Sequence, residues 1–231
     1  MKAFLLAAGV GSRWRPITDN IPKCLVPING KPLLYYWLKL FEKHGVSEVL
    51  INLHDLPDAV ISYLEQNSFD LAIHTVYEQN LLGSAGTVRN NFDFVYRDDA
   101  FLICYADNLT NMALHRMIDF HLANQPIVTL GLFQTNNPHD CGIAEIDDEN
   151  TVIDFEEKPS QPGSNLASAG IYICNPEIIH YLPRKIPSDL GCDVLPLLIG
   201  DMKGFFIEDY FIDIGTKENY ERAQLEFKSD V

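Results

Sequence analysis

Apolar residues fall along this chain in two alternating rhythms. Short runs, KAFLLAA (2–8), SEVLINL (47–53), LAIHTVY (71–77), AFLICYA (100–106) and IVTLGLF (127–133), read as strands. Between them lie stretches with helical spacing: KPLLYYWLKLFEKHG (31–45), PDAVISYLEQN (57–67), part of SAGTVRNNFDFV (84–95), and MALHRMIDFHLAN (112–124). Pro32 and Pro57 suit first helical turns, and Gly45 sits where a C-terminal cap belongs. In 112–124, Leu114, Met117, Ile118 and either His121 or Leu122 share one face.

Strands alternating with helices predict β-α-β units, hence an α/β class with a mostly parallel sheet. The rhythm changes after residue 134. CGIAEIDDENTVIDFEEKP (141–159) predicts a hairpin turning at DDEN, and SAGIYIC (168–174) a strand. GFFIEDYFIDI (204–214) predicts two strands around Asp209, and TKENYERAQLEFK (216–228) a closing helix capped by Thr216. No repeat, low-complexity tract or linker interrupts the 231 residues, which read as one domain with two halves, 1–134 and 135–231.

Composition narrows the picture. Hydrophobic residues make up 47% of the chain, enough for a sizeable core. The apolar run at the start is too short for a signal peptide, and no stretch approaches the roughly 20 residues of a membrane-spanning helix. Cysteines at 24, 104, 141, 174 and 192 form no C-x-x-C pair. An odd count without metal spacing fits thiols in a reducing cytoplasm, and Cys104 and Cys174 lie inside strand-like runs. The net charge of −15 argues against nucleic acid as a partner. Residues 1–31 alone carry +4, which leaves −19 on the rest. A basic segment in an acidic chain predicts a compact anion site.

The segment LAAGVGSRWRP (6–16) is the place for it, because a glycine turn after a strand is where α/β sheets bind ligands. The dinucleotide fingerprint is absent: Gly9 and Gly11 supply two glycines, but position 14 is Trp. No G-K-[S/T] follows, so it is not a P-loop. Glycines let a phosphate approach the backbone N–H groups, and Arg13 adds a forked donor. Taken alone, G-x-G-S-R is also an ordinary tight loop.

The wider pattern resembles the sugar-1-phosphate nucleotidylyltransferases. Gly9–Arg13 is followed by Pro22-Lys23 and Lys31-Pro32, and then in order by LGSAG (82–86), YAD (105–107), CGI (141–143), FEEKP (155–159), SAGIYI (168–173) and DIGT (213–216). Each piece is weak, but the ordered set is specific and covers nearly the whole chain. The resemblance implies an α/β fold with a Rossmann-like, mixed but mostly parallel sheet and helices on both faces, and transfer of a nucleotidyl group from a nucleoside triphosphate to a sugar 1-phosphate. An anionic phosphate oxygen attacks the α-phosphorus and pyrophosphate leaves, so no general base is needed. The task is to bring polyanions together and neutralise charge.

The resemblance also implies roles. Arg13 would hold the outer phosphates and Lys23 the α-phosphate, with Ala8, Gly9, Gly11 and Ser12 lining the loop; Arg15 would flank it. Gly83 and Ala85 would lie against base and ribose, making residues 1–134 the nucleotide-binding half. Residues 135–231 would be the sugar-binding half, with Gly142, Glu157, Lys158 and Ser168 on the sugar phosphate. Asp107 and Asp213 would hold Mg²⁺, which favours a few carboxylates plus phosphate oxygens and water. The chain departs from the pattern at Ala8, at Ala106 before Asp107, at Ser168 in place of asparagine, and at Lys217 in place of proline.

The AAG loop and the end of the sequence soon after the last helix, where some members continue into a β-helix, lean towards mannose-1-phosphate guanylyltransferase-like proteins using GTP. Thymidylyl and uridylyl transfer stay open, as does a homo-oligomer. A catalytically silent nucleotide-sugar-binding paralogue is disfavoured by the full set Arg13, Lys23, Asp107, Lys158 and Asp213. A cytidylyltransferase for a non-sugar phosphate is disfavoured by FEEKP and SAGIYI. No membrane partner is expected.

Overall fold

The computed structural model describes residues 1–9, 11 and 17–228. The chain opens with β1 (Lys2–Leu6). The ribbon β2 (Pro27–Ile28) and β3 (Lys31–Pro32) turns on Asn29 and Gly30, at φ 48° and 80°. Both central residues are left-handed, the type I′ geometry that Asn-Gly favours. Next comes α1 (Leu33–Lys43), with Pro32 as its N-cap residue. It ends on Gly45 at φ 73°, with Gly45 N–H donating to Glu42 O (3.2 Å) and Val46 N–H to Phe41 O (3.0 Å). That pair of bonds satisfies carbonyls the helix would otherwise orphan. The chain continues through β4 (Glu48–Leu53), α2 (Pro57–Gln66), β5 (Ala72–Tyr77), α3 (Ser84–Asn90), β6 (Phe101–Tyr105) and β7 (Asn108–Thr110). Then follow α4 (Leu114–Asn124), β8 (Val128–Gln134), the hairpin β9 (Gly142–Ile146) and β10 (Val152–Glu157), and β11 (Leu166–Cys174). The last elements are α5 (Leu190–Asp193), β12 (Met202–Phe206), β13 (Phe211–Asp213) and α6 (Lys217–Glu226). Thr216 caps α6, its hydroxyl accepting from Asn219 N–H at 3.2 Å.

Two compact units are assembled from discontinuous segments. The first holds Met1–Leu81, Cys104–Ala113 and Asp209–Val231; the second holds Leu82–Ile103 and Leu114–Glu208. The α/β class and the mixed central sheet are as expected, and the antiparallel part is concentrated in the second unit.

In the first unit, β1, β4 and β5 run parallel, with Lys2 opposite Glu48 and Glu48 opposite Ala72. Its β7 and β13 form an antiparallel ribbon in which Asp213 pairs with Asn108. An apolar cluster of Val26, Ile28, Leu33, Tyr36, Leu109, Ile212, Ile214, Ala223 and Phe227 holds the ribbon, α1 and α6 together. These residues come from widely separated stretches, and burying them is what draws Ile212–Phe227 back to Val26–Tyr36. Trp37 Nε1–H donates to Asn108 O at 2.8 Å and fixes the ribbon against α1.

In the second unit, β8 pairs parallel with β12 and antiparallel with β11, which also pairs antiparallel with β9. The β11–β8 register breaks between Ser168 and Tyr172, a bulge that holds Gly170 at φ 63°. On α4, Leu114, Met117 and His121 are buried, whereas Leu122 is 51% exposed. His121 can be buried because Thr129 Oγ1 (2.8 Å) and Asn175 Oδ1 (3.0 Å) satisfy its two ring nitrogens. Burial holds its pKa below the usual histidine range, with the Asn175 bond opposing. Cys24, Cys104 and Cys174 are buried thiols, and desolvation pushes Cys24 up to about 12. Among the described residues no helix is long and apolar enough to cross a membrane.

Candidate active site

In the first unit the candidate residues gather where β1 and β6 end. Ala7 N–H donates to Asn52 Oδ1 (2.8 Å), and Asn52 Nδ2–H donates to Glu78 Oε1 (2.9 Å). Asn52 and Glu78 are both buried, so this relay pins the backbone where the glycine loop starts. Ala8 is buried, and Gly9 is exposed with open space where a side chain would be. Gly11 must be glycine on two counts. Its φ is 59°, and a Cβ would meet the Thr18 methyl at 3.0 Å and Lys23 Cβ at 3.5 Å. Thr18 Oγ1–H donates to Gly11 O at 2.9 Å. Ser12, Arg13 and Arg15 lie outside the described residues.

Lys23 opens a short 3-10 turn behind the buried Pro22, and that turn is braced by Leu25 N–H on Pro22 O (2.8 Å). Its ammonium sits 2.5 Å from Asp107 Oδ2, a partner 84 residues away. The Lys23 side chain is 9% exposed and that of Asp107 37%, so the carboxylate keeps an open side. Asp107 is set by the backbone around it: Ala106 N–H donates to Leu6 O (3.0 Å), and Asp107 O accepts from Ile214 N–H (2.9 Å). On the facing strand, Ile212 and Ile214 point into the apolar cluster and Asp213 points out, the alternation of an extended chain. A Cβ on Gly215 would fall 2.8 Å from Asp213 Oδ2, so glycine leaves room for that carboxylate.

These residues fit a hard divalent cation. Both candidate ligands are carboxylates, they stand one register step apart, and Asp107 already attracts a cation in the form of the Lys23 ammonium. Among the described residues no group of three or more His, Cys, Asp or Glu could hold a metal.

The second unit brings together Gly142, Glu157 and Lys158. Gly142 and Glu157 are paired across the hairpin. A Cβ on Gly142 would fall 2.5 Å from Glu157 Oε2 and 2.7 Å from the Phe155 ring, so any other residue would push into the carboxylate. Lys158 is exposed and takes φ 51°, an uncommon conformation for a side chain that carries a Cβ. Its N–H donates to Cys141 O at 3.0 Å, and Pro159 behind it is buried. Strain of this kind, held by fixed surroundings, concentrates at ligand clamps. Burial raises the Glu157 pKa above the usual carboxylate range; the Asp189 charge adds to this and Lys158 opposes it.

Ser168 lies at the start of the β11 bulge, where its hydroxyl contacts Tyr172 OH (3.3 Å) and accepts from Gly170 N–H (3.3 Å). Gly83 and Ala85 stand in the second unit at the start of α3. Gly83 is at φ 77°, and a Cβ there would collide with the Ser188 carbonyl. Ala85 is buried and donates its N–H to that same carbonyl at 3.0 Å. Sequence reasoning passed over Ser84 and Asp189, which bond to one another at 2.7 Å. The local signal was Asp189 ahead of Leu190, an N-cap residue before a short helix.

The model of the nucleotidyl transferase family matches residues 2–230. UTP–glucose-1-phosphate uridylyltransferase of Synechocystis sp. is 32% identical, over 96% of this chain and 62% of its own length. Mannose-1-phosphate guanylyltransferase of Mycobacterium tuberculosis is 29% identical, over 97% of this chain and 64% of its own. The chain therefore spans somewhat under two thirds of the length of these relatives. The crystal structure of HddC from Yersinia pseudotuberculosis, solved in complex with GMP-PN, is 26% identical, with a TM-score of 0.83 over 98% of this chain and 99% of that one. The glycine loop, the Lys23–Asp107 pair and the Glu157–Lys158 hairpin are thus set in a chain that belongs to the nucleotidyl transferase family.

Proposed function

We propose that this protein transfers a nucleotidyl group from a nucleoside triphosphate to a sugar 1-phosphate. The sugar phosphate oxygen forms the new bond to the α-phosphorus. The bond from that phosphorus to the bridging oxygen breaks, and pyrophosphate carries away the electron pair. The observation that carries the reading is the convergence of Lys23, Asp107 and Asp213 from three distant stretches of chain. Such a set fits charge neutralisation and has little else to do at an exposed strand end.

In this reading Arg13, Gly9 and Gly11 hold the triphosphate, and Lys23 steadies charge at the α-phosphate. Asp107 and Asp213 would hold Mg²⁺, which would supply electrophilic stabilisation of the phosphate oxygens. Gly83 and Ala85 bound the base and ribose. Glu157 accepts from sugar hydroxyls, Lys158 bonds the sugar phosphate, and Gly142 and Ser168 line the same subsite. The AAG loop supports guanylyl transfer to mannose 1-phosphate as the first assay. Uridylyl and thymidylyl transfer are its direct competitors, and the uridylyl name of the Synechocystis relative puts UTP with glucose 1-phosphate second. Pyrophosphate release over a panel of triphosphates and hexose 1-phosphates tests the proposal. One pair should dominate; no release from any pair, with nucleotide sugar still bound, would favour a silent binding protein.

A further inference from the structure

A segment that belongs to none of the sequence motifs runs over the second unit's site residues. Ser188 N–H donates to Leu82 O (2.9 Å), and Ser188 O accepts from Ala85 N–H (3.0 Å) and Gly86 N–H (3.3 Å). The chain thereby covers the turn that carries Gly83 and Ala85, and Gly83 has no Cβ to prevent it. Asp189 then locks the arrangement. Its Oδ2 accepts from Ser84 Oγ–H (2.7 Å), and the same hydroxyl accepts from Leu190 N–H (2.8 Å). Its Oδ1 accepts from Gly191 N–H (2.8 Å) and Cys192 N–H (3.3 Å). Its own N–H donates to Asp193 Oδ2 at 2.8 Å, and Asp193 in turn pairs with Lys185 at 2.6 Å. Three donors on one carboxylate make charge-assisted bonds, the stronger kind.

The far end of the same segment meets the sugar-side carboxylate. Gly191 lies so close to Glu157 that a Cβ there would fall 2.6 Å from Oε2. The Asp189 charge is also felt at Glu157. One side chain therefore fixes the Ser84 turn, the start of α5 and the wall against Glu157. A cap needed only for a four-residue helix would have no use for the Ser84 hydroxyl.

We propose that Asp189 is a positioning residue that ties the Gly83–Gly86 turn to the segment walling Glu157, so that the base–ribose contacts and the sugar contacts are set by one carboxylate. This rests on the reading of Glu157 and Lys158 as sugar-phosphate residues, and the test separates the two.

Amide hydrogen exchange at Ala85 and Gly86 is measured in the unliganded protein for Ser84→Ala, Asp189→Ala, the double variant and Asp189→Asn. Ser84→Ala and Asp189→Ala should each speed exchange about tenfold, one charge-assisted bond's worth, and the double variant should be no worse than either. Steady-state assays should show KM for both substrates raised about tenfold, with kcat nearly unchanged, because the lost contact serves ground and transition states alike. Asp189→Asn keeps an acceptor and should restore exchange and the KM for triphosphate. It removes the negative charge that acts with burial to raise Glu157, leaving Lys158 and the Cys192 thiol among its titratable neighbours. The acid limb of the sugar-phosphate KM should therefore move to lower pH, as should the Glu157 carboxyl titration followed by NMR. Unchanged exchange in Asp189→Ala, additive effects in the double variant, or an unmoved Glu157 titration in Asp189→Asn would overturn the proposal. If the wild-type protein turns over no pair of substrates, the proposed function falls, and the exchange and NMR arms still decide the role of Asp189.

Discussion

The two units build their sites by different means. In the first, carboxylates and a lysine stand on strand ends and a ribbon whose other face is sealed in an apolar cluster, and the charges are paired: Lys23 on Asp107 at 2.5 Å. In the second, the candidate residues sit on a hairpin end and a helix turn, and burial works against a charge. Glu157 is pushed towards its neutral form, and Lys158 is held in a left-handed conformation. The first arrangement suits groups that must not move while charge develops on phosphate. The second is a set of groups under tension that a ligand could relieve, the arrangement expected of a binding clamp. Catalytic constants should thus respond mainly to the first unit and sugar affinity mainly to the second.

The largest effect is expected at Asp107. Asp107→Asn keeps the shape but removes the charge proposed to hold the metal, and kcat should fall by about 10³, on the scale of losing a preorganised charge-stabilising group. Circular dichroism should be unchanged, and chelator-treated wild-type protein should be equally inactive. Turnover at full rate without divalent metal would remove the first unit's assigned role. Lys23→Ala comes next. A contact that strengthens as pyrophosphate leaves raises kcat rather than binding, so kcat should drop about 10²–10³ with KM little changed. The same variant frees Asp107 Oδ2 from its ammonium partner. Mn²⁺ alone, followed by its paramagnetic signal, should bind Lys23→Ala more tightly than wild type. Loss of KM with normal kcat would place Lys23 among the binding groups and blur the contrast between units.

Lys158→Ala sharpens the other side. A lysine–phosphate contact in a partly closed site is worth roughly 1.5–3 kcal/mol, or about 10- to 150-fold in affinity. Calorimetry should show that loss for sugar phosphate and none for triphosphate alone. Equal losses for both ligands would put Lys158 in the nucleotide site.

How much of this was legible in the sequence differs between the units as well. The long periodic elements could be read directly: α1 with Gly45 as its stop, the β9–β10 hairpin, and α6 behind Thr216. On α4 the choice between His121 and Leu122 could not be made locally, because it depends on Thr129 and Asn175 elsewhere in the chain. The β2–β3 ribbon went unread although Asn29-Gly30 is a strong turn signal, since two-residue strands show no alternation. β7, only three residues long, was missed because it too is short for alternation to show, and its pairing with β13 spans about a hundred residues of chain. Lys23, Asp107 and Asp213 were candidates because they stand in an ordered family pattern. Asp189 had no motif to flag it, and its contacts to Ser84, 105 residues away, exist only after folding.

The smallest effect expected is one of stability, and it separates the units by sign. Burial first, and the Asp189 charge second, raise the folded-state pKa of Glu157 above its unfolded value. A carboxyl raised in this way favours the fold in its protonated form. Its contribution is fully present below the unfolded pKa of roughly 4.3 and is lost as pH rises through the folded value. At neutral pH the charged Glu157 therefore works against the fold. Glu157→Gln is nearly isosteric and carries no charge, so it should melt at a higher temperature than wild type at pH 7, with the difference shrinking towards pH 4. The same variant should bind sugar phosphate more weakly, since a carboxylate accepts more strongly from hydroxyls than an amide does. A residue kept charged at a cost to the fold is one whose charge serves a ligand. Thermal melts at pH 4, 5.5 and 7 check the sign. A lower melting temperature for Glu157→Gln at pH 7 would mean that the carboxylate stabilises the hairpin, and the second unit would then be built by the same paired-charge logic as the first.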